Sequence, residues 1–480
     1  MRYPVMVRYI GLVLVLIGFF MAVSAGVGAI YDDGSSWILL VSGILLAGFG
    51  VFPMIFVPRA KGFSIPEAVF VVAGAWVATS VFGAIPFYLW GAPFTVVNAV
   101  FESFSGFTTT GASILTEVEP LSKGIVFWRS MTHWIGGTGI IVFALAILPA
   151  LGPVSHTLLR REYTSLGQTP GFPRAREVAR VIVLVYVGLT VLETILLVVA
   201  GVSVYEAATT AFGTIATGGF SPRNTSIAAY QSVSVEMIVL VFMVVSGINF
   251  AFLYGLLISR RAKVLGWEVV RIYLGLIAIG IVITAVSIHG RIYSTWGEAF
   301  RYASFQVASV GTSTGFATVD SSVWTPSAHL VLILLTFICA CAGSTSGGIK
   351  VDRVALFGKL VVQRLKVLIH PQMVPSLRVG GRPMKLEQAE GAMLFVVFYV
   401  VIVALSGLVI TFTGAELLES FTASLACMGN VGPGLGKVGS MGNYAGFSDI
   451  AKGVLCTVML IGRLEIFVLI LPFTGAFWRR

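Results

Sequence analysis

Ten long apolar runs alternate with polar segments along the chain, at about residues 9–29, 36–58, 67–90, 124–159, 177–201, 230–258, 269–289, 327–349, 391–413 and 450–474. Each is long enough for a helix of about 20 residues to cross a bilayer, so the pattern predicts about ten spans. Between them lie four amphipathic stretches, about 96–107, 204–215, 297–311 and 416–428, that are too short to cross. They read as half-length helices that enter the membrane and return on the same side. Each runs into a small-residue cluster around a glycine: Thr109-Thr110-Gly111-Ala112-Ser113, Ala216-Thr217-Gly218-Gly219-Phe220, Ser313-Thr314-Gly315-Phe316-Ala317 and Asn430-Val431-Gly432-Pro433-Gly434. A unit of span, half-helix, glycine cluster, polar loop and second span thus recurs four times. The expected fold is all-α and polytopic, with four pseudo-symmetric helix/pore-loop/helix repeats around one central pore.

The cluster glycines Gly111, Gly218, Gly315 and Gly432 are 107, 97 and 117 residues apart. Glycine lets backbone carbonyls take directions that other residues resist, and rings of carbonyls replace the hydration shell of a monovalent cation. The pattern therefore implies a cation-conducting pore. Residues 1–60, a hairpin turning at 31–36, carry no such cluster and form an extra module; the repeats then occupy 61–165, 166–264, 265–370 and 371–480.

Composition agrees with this reading and charge adds orientation. The 480 residues are 57% hydrophobic and 11% charged, with a mean hydropathy of +0.95, as for a membrane protein and unlike soluble domains. The net charge of +10 arises from segregation. With the N-terminus inside, 23 of the 31 Lys and Arg fall in cytoplasmic segments, the positive-inside bias that places both termini in the cytoplasm. Nucleic acid is excluded, because basic residues interleaved with stacking aromatics are missing. Cys339, Cys341, Cys427 and Cys456 lie in apolar surroundings without paired metal or redox spacing. The five histidines are scattered and no Walker-type phosphate loop occurs, which argues against an enzyme. The first run, after Arg8, exceeds a typical signal-peptide core and leads directly into a second span, so cleavage is not expected.

Several features stand out against the apolar background. Glycines Gly139, Gly247, Gly343 and Gly462 follow the cluster glycines by 28, 29, 28 and 30 residues. A glycine inside a helix costs about 1 kcal/mol relative to alanine, and two reasons for it stand: close helix packing, or lining the pore below the clusters. Ala342-Gly343-Ser344-Thr345-Ser346-Gly347-Gly348 interrupts an apolar run, and irregular backbone at that depth needs protein or water around it. Lys350 follows, either anchoring that loop through a carboxylate or marking the membrane boundary. Arg463 lies within an apolar helix where exposure to lipid costs about 2.5–3.5 kcal/mol, so it faces a carboxylate or the pore. Glu102, Glu117, Glu119, Glu206, Glu298, Asp320, Glu416 and Glu419 fall near the expected entrances, as solvated acids or as an acidic vestibule. The connection 351–386, with its basic residues and prolines, reads as a cytoplasmic linker that a partner could use for docking.

The segment 101–113 with Trp128-Arg129-Ser130-Met131-Thr132-His133-Trp134-Ile135-Gly136-Gly137-Thr138-Gly139 resembles the first repeat of the Trk/Ktr/HKT potassium-transport superfamily. So do 216–221, 342–350, 428–434 and Gly462-Arg463-Leu464-Glu465-Ile466-Phe467, and the resemblance spans essentially the whole chain. The N-terminal hairpin favours the bacterial Trk branch with its TrkH-type membrane subunit. The resemblance implies potassium uptake across the bacterial inner membrane, with potassium held at Thr109, Thr110, Gly111, Ala216, Thr217, Gly218, Ser313, Thr314, Gly315, Asn430, Val431 and Gly432. It further implies a gate made by Gly343, Ser344, Thr345, Ser346, Gly347, Gly348, Lys350 and Arg463. A homodimer and a TrkA-like cytoplasmic ring that binds the regulatory nucleotide are implied as partners, with no cofactor in this chain. The alternatives are a sodium- or proton-coupled monovalent cation symporter with weak K/Na discrimination and, behind it, a secondary transporter of small organic solutes, which would show two halves in place of four repeats.

Overall fold

A computed structural model describes residues 1–58, 63–151, 175–257, 267–372, 377–379, 382–384, 386–464, 466–470 and 472. Of the residues weighed above, Arg59, Lys61, Arg160, Arg161, Arg174, Arg260, Arg261, Lys263, Pro375, Lys385, Glu465, Arg479 and Arg480 lie outside the described residues.

A hairpin of α1 (Tyr3–Tyr31) and α2 (Ser35–Phe56) precedes four units. In the first, α3 (Ile65–Gly83) and α4 (Ile85–Trp90) lead to the short α5 (Val96–Phe107), and α6 (Lys123–Leu151) follows. The second runs α7 (Ala175–Val199), short α8 (Val204–Ile215), then α9 (Val233–Ser246) and α10 (Phe250–Leu257). The third is α11 (Trp267–Ile288), short α12 (Trp296–Gly311), α13 (Pro326–Ile338) and α14 (Val351–Ile369). The fourth is α15 (Leu386–Phe412), short α16 (Leu417–Met428), α17 (Asp449–Leu464) and α18 (Ile466–Ile470). Between α14 and α15, β1 (Leu377–Val379) pairs antiparallel with β2 (Arg382–Met384). The fold is thus nearly all helical, and the expected linker is largely a helix and a hairpin.

Three of the four short helices start where the sequence offers a cap, and the fourth, α16, follows Glu416 without one. Thr95, Ser203 and Thr295 accept the backbone N–H of Asn98, Glu206 and Glu298, each at 3.3 Å. Their later turns are wholly buried, Phe101 to Phe107 and Thr209 to Ala211 among them, while α2, α7 and α15 turn large aliphatic side chains outward. An apolar exterior around a core rich in hydroxyls and glycine suits a lipid solvent. Among the described residues six helices are long and apolar enough to cross a membrane, or seven if α9 and α10, bent by 103°, count as one. The sequence expectation is about ten spans. The runs exist, but the second helix of the second and third units is broken, at 247–249 and between Ile338 and Val351.

Small residues set the N-terminal hairpin. A Cβ on Gly18 would lie 2.5 Å from the Gly43 carbonyl oxygen, and one on Gly11 2.5 Å from that of Gly50. The hairpin is not a detached module, since it shares one core with α3, α5, α6 and α17. Arg2 binds the Glu67 carboxylate at 2.8 Å and Asp33 accepts the N–H of Gly124 at 2.8 Å. Replacing Gly18→Val forces α1 and α2 apart, and thermal denaturation of the purified protein should register a loss of about 1–3 kcal/mol.

Candidate functional site: a carbonyl ring and the loop against it

Each short helix ends in the same turn. Thr109, Thr217, Ser313 and Asn430 take left-handed conformations, with φ of 54°, 53°, 58° and 50°. Two residues on, Gly111, Gly219, Gly315 and Gly432 do so again, with φ of 80°, 81°, 83° and 90°. The residues between, Thr110, Gly218, Thr314 and Val431, donate their N–H groups back to Ser105, Gly213, Ser309 and Ala426 at 2.9, 2.8, 2.8 and 2.9 Å. This is the bond pattern of a Schellman cap. It aims each N–H into its own helix and leaves the carbonyl of the same residue pointing away.

Those carbonyls meet the neighbouring unit. A Cβ on Gly111 would collide with the Gly218 carbonyl oxygen, one on Gly219 with that of Thr314, one on Gly315 with that of Val431, and one on Gly432 with that of Thr110. The contacts close a ring of four, each glycine against the central carbonyl of the next unit. Glycine is required there twice over, by φ and by space. Among the described residues nothing donates a hydrogen bond to these four carbonyls. A ring of oxygens without protein donors at membrane depth is suited to a desolvated cation.

The ring corrects one register. Gly218, the counterpart of Gly111 by spacing, occupies instead the place of Thr110 and supplies a carbonyl, while Gly219 holds the left-handed position. Ala216 caps α8, one step before the turn. The side chains are less regular than the backbone. Thr108 and Thr110 pair through their hydroxyls at 2.8 Å and Thr312 and Thr314 at 2.7 Å, whereas the corresponding pairs are Ala216/Gly218 and Gly429/Val431. Asn430 joins the fourth unit to the first, donating from Nδ2 to the Thr110 hydroxyl and to the Met459 carbonyl, both at 3.0 Å.

Glu102 is no part of a vestibule, because it is fully buried. It binds the Arg129 guanidinium at 2.6 Å and accepts the Ser113 hydroxyl and the Ile114 N–H, both at 2.9 Å. Arg129 lies 3.5 Å from the Phe220 ring centre and donates to the Ser221 carbonyl at 3.2 Å. One ion pair thus holds the segments that leave the ring in two units. Of the other entrance acids, Glu206 pairs with Arg223 at 2.7 Å and Glu416 with Lys437 at 3.4 Å.

The interruption after α13 packs against the ring. Thr345 bonds to the Ile215 carbonyl at 3.0 Å and to the Thr217 hydroxyl at 3.2 Å, and Gly347 donates to the Ser313 hydroxyl at 3.1 Å. Its backbone is completed by the break between α9 and α10: Cys341 N–H bonds to the Gly247 carbonyl at 3.0 Å, Phe250 N–H to that of Gly343 at 3.1 Å, and Asn249 Nδ2 to that of Ala342 at 2.8 Å. Lys350 precedes α14 with φ of 69°, and the carboxylate that holds the loop is that of Asp352, which accepts the Ala342 N–H at 2.6 Å. Arg463 donates to the carbonyls of Thr345 at 2.6 Å and Gly136 at 2.8 Å, so it ties the loop to α6. Asn249 and Asp352 are not singled out by the sequence reading; for Asn249 a polar residue just after Gly247 in an apolar run is the available signal. The internal glycines Gly139, Gly247 and Gly462 face the Trp76 ring, the Tyr273 hydroxyl and the Met428 carbonyl, which is packing. All four cysteines are buried thiols.

A multi-pass helical membrane protein that gathers carbonyls into such a ring falls in the class of cation transporters. The chain belongs to the TrkH family, described as cation transport proteins, whose family model matches residues 57–480. It is 35% identical over 487 residues to the Trk system potassium uptake protein TrkH of Escherichia coli strain K12, covering 100% of both chains. To the Trk system potassium uptake protein TrkI of Halomonas elongata it is 34% identical over 409 residues, covering 85% of this chain and 82% of the other. Its fold superposes on the crystal structure of the potassium transporter TrkH from Vibrio parahaemolyticus with a TM-score of 0.90 and 31% identity, over 100% of both chains. The chain is a membrane transporter and not an enzyme.

Replacing Glu102→Gln leaves the Arg129 charge buried beside a neutral amide. The expected loss is about 3–5 kcal/mol, read as a lower thermal midpoint, with part recovered in Glu102→Gln/Arg129→Met.

Proposed function

We propose that this chain takes up potassium across the inner membrane of a bacterium, through the carbonyl ring acting as a selectivity filter. The single observation that carries the reading is the closed circle of Thr110, Gly218, Thr314 and Val431 carbonyls against Gly219, Gly315, Gly432 and Gly111. The potassium-uptake names of the full-length relatives support the choice of ion. In this reading each of the repeats 61–165, 166–264, 265–370 and 371–480 lends one strand, with Thr217-Gly218-Gly219 the strand of the second. The C-terminal ends of the four short helices direct their partial negative charge toward the ion.

The loop Gly343–Gly348 and Arg463 form the gate. The guanidinium places a positive charge among carbonyls on the path beside the filter, which opposes a cation, and its two hydrogen bonds hold the loop shut. A cytoplasmic nucleotide-binding ring on a homodimer acts on the loop through α14, which Asp352 joins to Ala342. Both termini are cytoplasmic.

Flux of potassium, rubidium and sodium into liposomes carrying the purified protein, with and without a proton gradient, tests the reading; equal sodium and potassium flux, or none of either, overturns it. In the same assay Gly315→Ser, which drives a side chain into the Val431 carbonyl, should lower the potassium-to-sodium ratio about tenfold, equivalent to about 1.4 kcal/mol. Arg463→Ala releases two charge-assisted hydrogen bonds and should raise flux about tenfold or more per inserted molecule; reduced insertion with unchanged flux per molecule would assign Arg463 to folding alone.

A further inference from the structure

The ion pair that supports the first unit is missing from the third, and a cavity stands in its place. Glu102 lies nine residues before Gly111, and Gln306 nine before Gly315, at the same position on α12. Both side-chain partners of Glu102 are altered in the third unit. Ser113 corresponds to Ala317, whose N–H goes to the Ser226 hydroxyl at 3.2 Å. Arg129, 27 residues after Glu102, corresponds to Ile333, 27 after Gln306. Gln306 is 1% exposed, and its Oε1 has no hydrogen-bond partner among the described residues.

Gln306 lines a cavity of about 20 Å³ together with Ile333, Thr336, Thr422, Pro433 and Gly434. That is room for about one water. The hydroxyls there are already committed as donors, Thr336 to the Leu332 carbonyl at 2.8 Å and Thr422 to the Leu418 carbonyl at 2.7 Å, but both keep lone pairs. Pro433 has no N–H to give. The lining residues carry no formal charge, so the vacant acceptor calls for a neutral donor.

We infer that the cavity between the third and fourth units is a water site, anchored on Gln306, in which solvent replaces the guanidinium of the first unit. Pro433 lies against Gly315, since a Cβ there would fall 2.8 Å from the proline Cδ. The water therefore supports the fourth strand from behind as Arg129 supports its own segment, and its bearing on ion selection rests on the filter reading given above.

Pulsed hydroxyl-radical footprinting of the full-length protein in lipid nanodiscs, read by mass spectrometry, tests the site directly. Leu332 and Leu425, both in the cavity wall, should be oxidised while Leu39, buried in the hairpin core, is not. Gln306→Leu should abolish that oxidation and lower the potassium-to-sodium flux ratio about fivefold, the scale of one lost hydrogen bond, and Gln306→Glu, which keeps an acceptor oxygen, should retain the oxidation. Protection of Leu332 and Leu425 equal to that of Leu39 in the wild type overturns the water site, whatever the variants do. Oxidation lost in Gln306→Leu with an unchanged flux ratio overturns its bearing on selection. A wild type that is labelled but conducts neither cation counts against the filter reading and leaves the site standing.

Discussion

Backbone polar groups inside a membrane must find partners within the protein, and a helix that ends there leaves its last carbonyls and the following N–H groups to be provided for. Four helices of this chain end at that depth, and all four meet the constraint in one way: a left-handed residue, then an N–H folded back across the helix end. Once that N–H is spent internally, the attached carbonyl has one direction left. The next residue must turn left-handed again, with a neighbouring carbonyl against its Cα, and only glycine serves. The glycine clusters, the short helices and the ring are thus consequences of one bonding choice repeated around an axis. Among the described residues the four ring carbonyls accept no hydrogen bond, and a partly desolvated cation can satisfy them.

The same constraint explains the loop. Where α13 stops at Ile338, backbone groups are freed, and another break supplies their partners: Gly247, Asn249 and Phe250 bond across to Cys341, Ala342 and Gly343. Two defects, each costly alone, complete one another. Arg463 and Asp352 then bind the loop from opposite sides through backbone atoms of Thr345 and Ala342. These contacts are specific to one arrangement of the loop, unlike an apolar surface that tolerates sliding. Displacing the loop would forfeit them together.

Much of this was legible in the chain. Half-length amphipathic stretches gave all four short helices to within a residue, and Ser or Thr caps mark the starts of α5, α8 and α12, because capping and burial both leave local marks. Gly218-Gly219 misled by one position, since spacing between equivalent glycines cannot choose between two in a row; only φ does. Glu102 looked like an entrance acid because its partner Arg129 is 27 residues distant and burial of a carboxylate is a tertiary fact. The break near Gly247 was hidden for a similar reason. Hydropathy reports that a run prefers lipid or core, not whether a neighbouring loop lets its helix stop.

The ring also shows why four unequal strands in one chain differ from four equal ones. Neighbour contacts run from the first unit to the second, third, fourth and back, so the first and third face each other across the axis. Those two carry the paired threonines, while the second and fourth carry Ala216/Gly218 and Gly429/Val431. Backbone geometry is fourfold, but side-chain support is twofold. A hydroxyl pair restrains the strand that bears it and a Gly-Gly strand has no such restraint, so the four carbonyls are held with unequal stiffness. Discrimination between cations of different size depends on how strongly the oxygens resist closing on the smaller one. In the second and fourth strands that resistance must come from outside the strand: from His133, whose ring accepts the Phe220 N–H at 3.3 Å, and from Asn430, which reaches across to Thr110. On the filter reading proposed above, ion preference rests on the contacts between units as much as on the glycine motif itself.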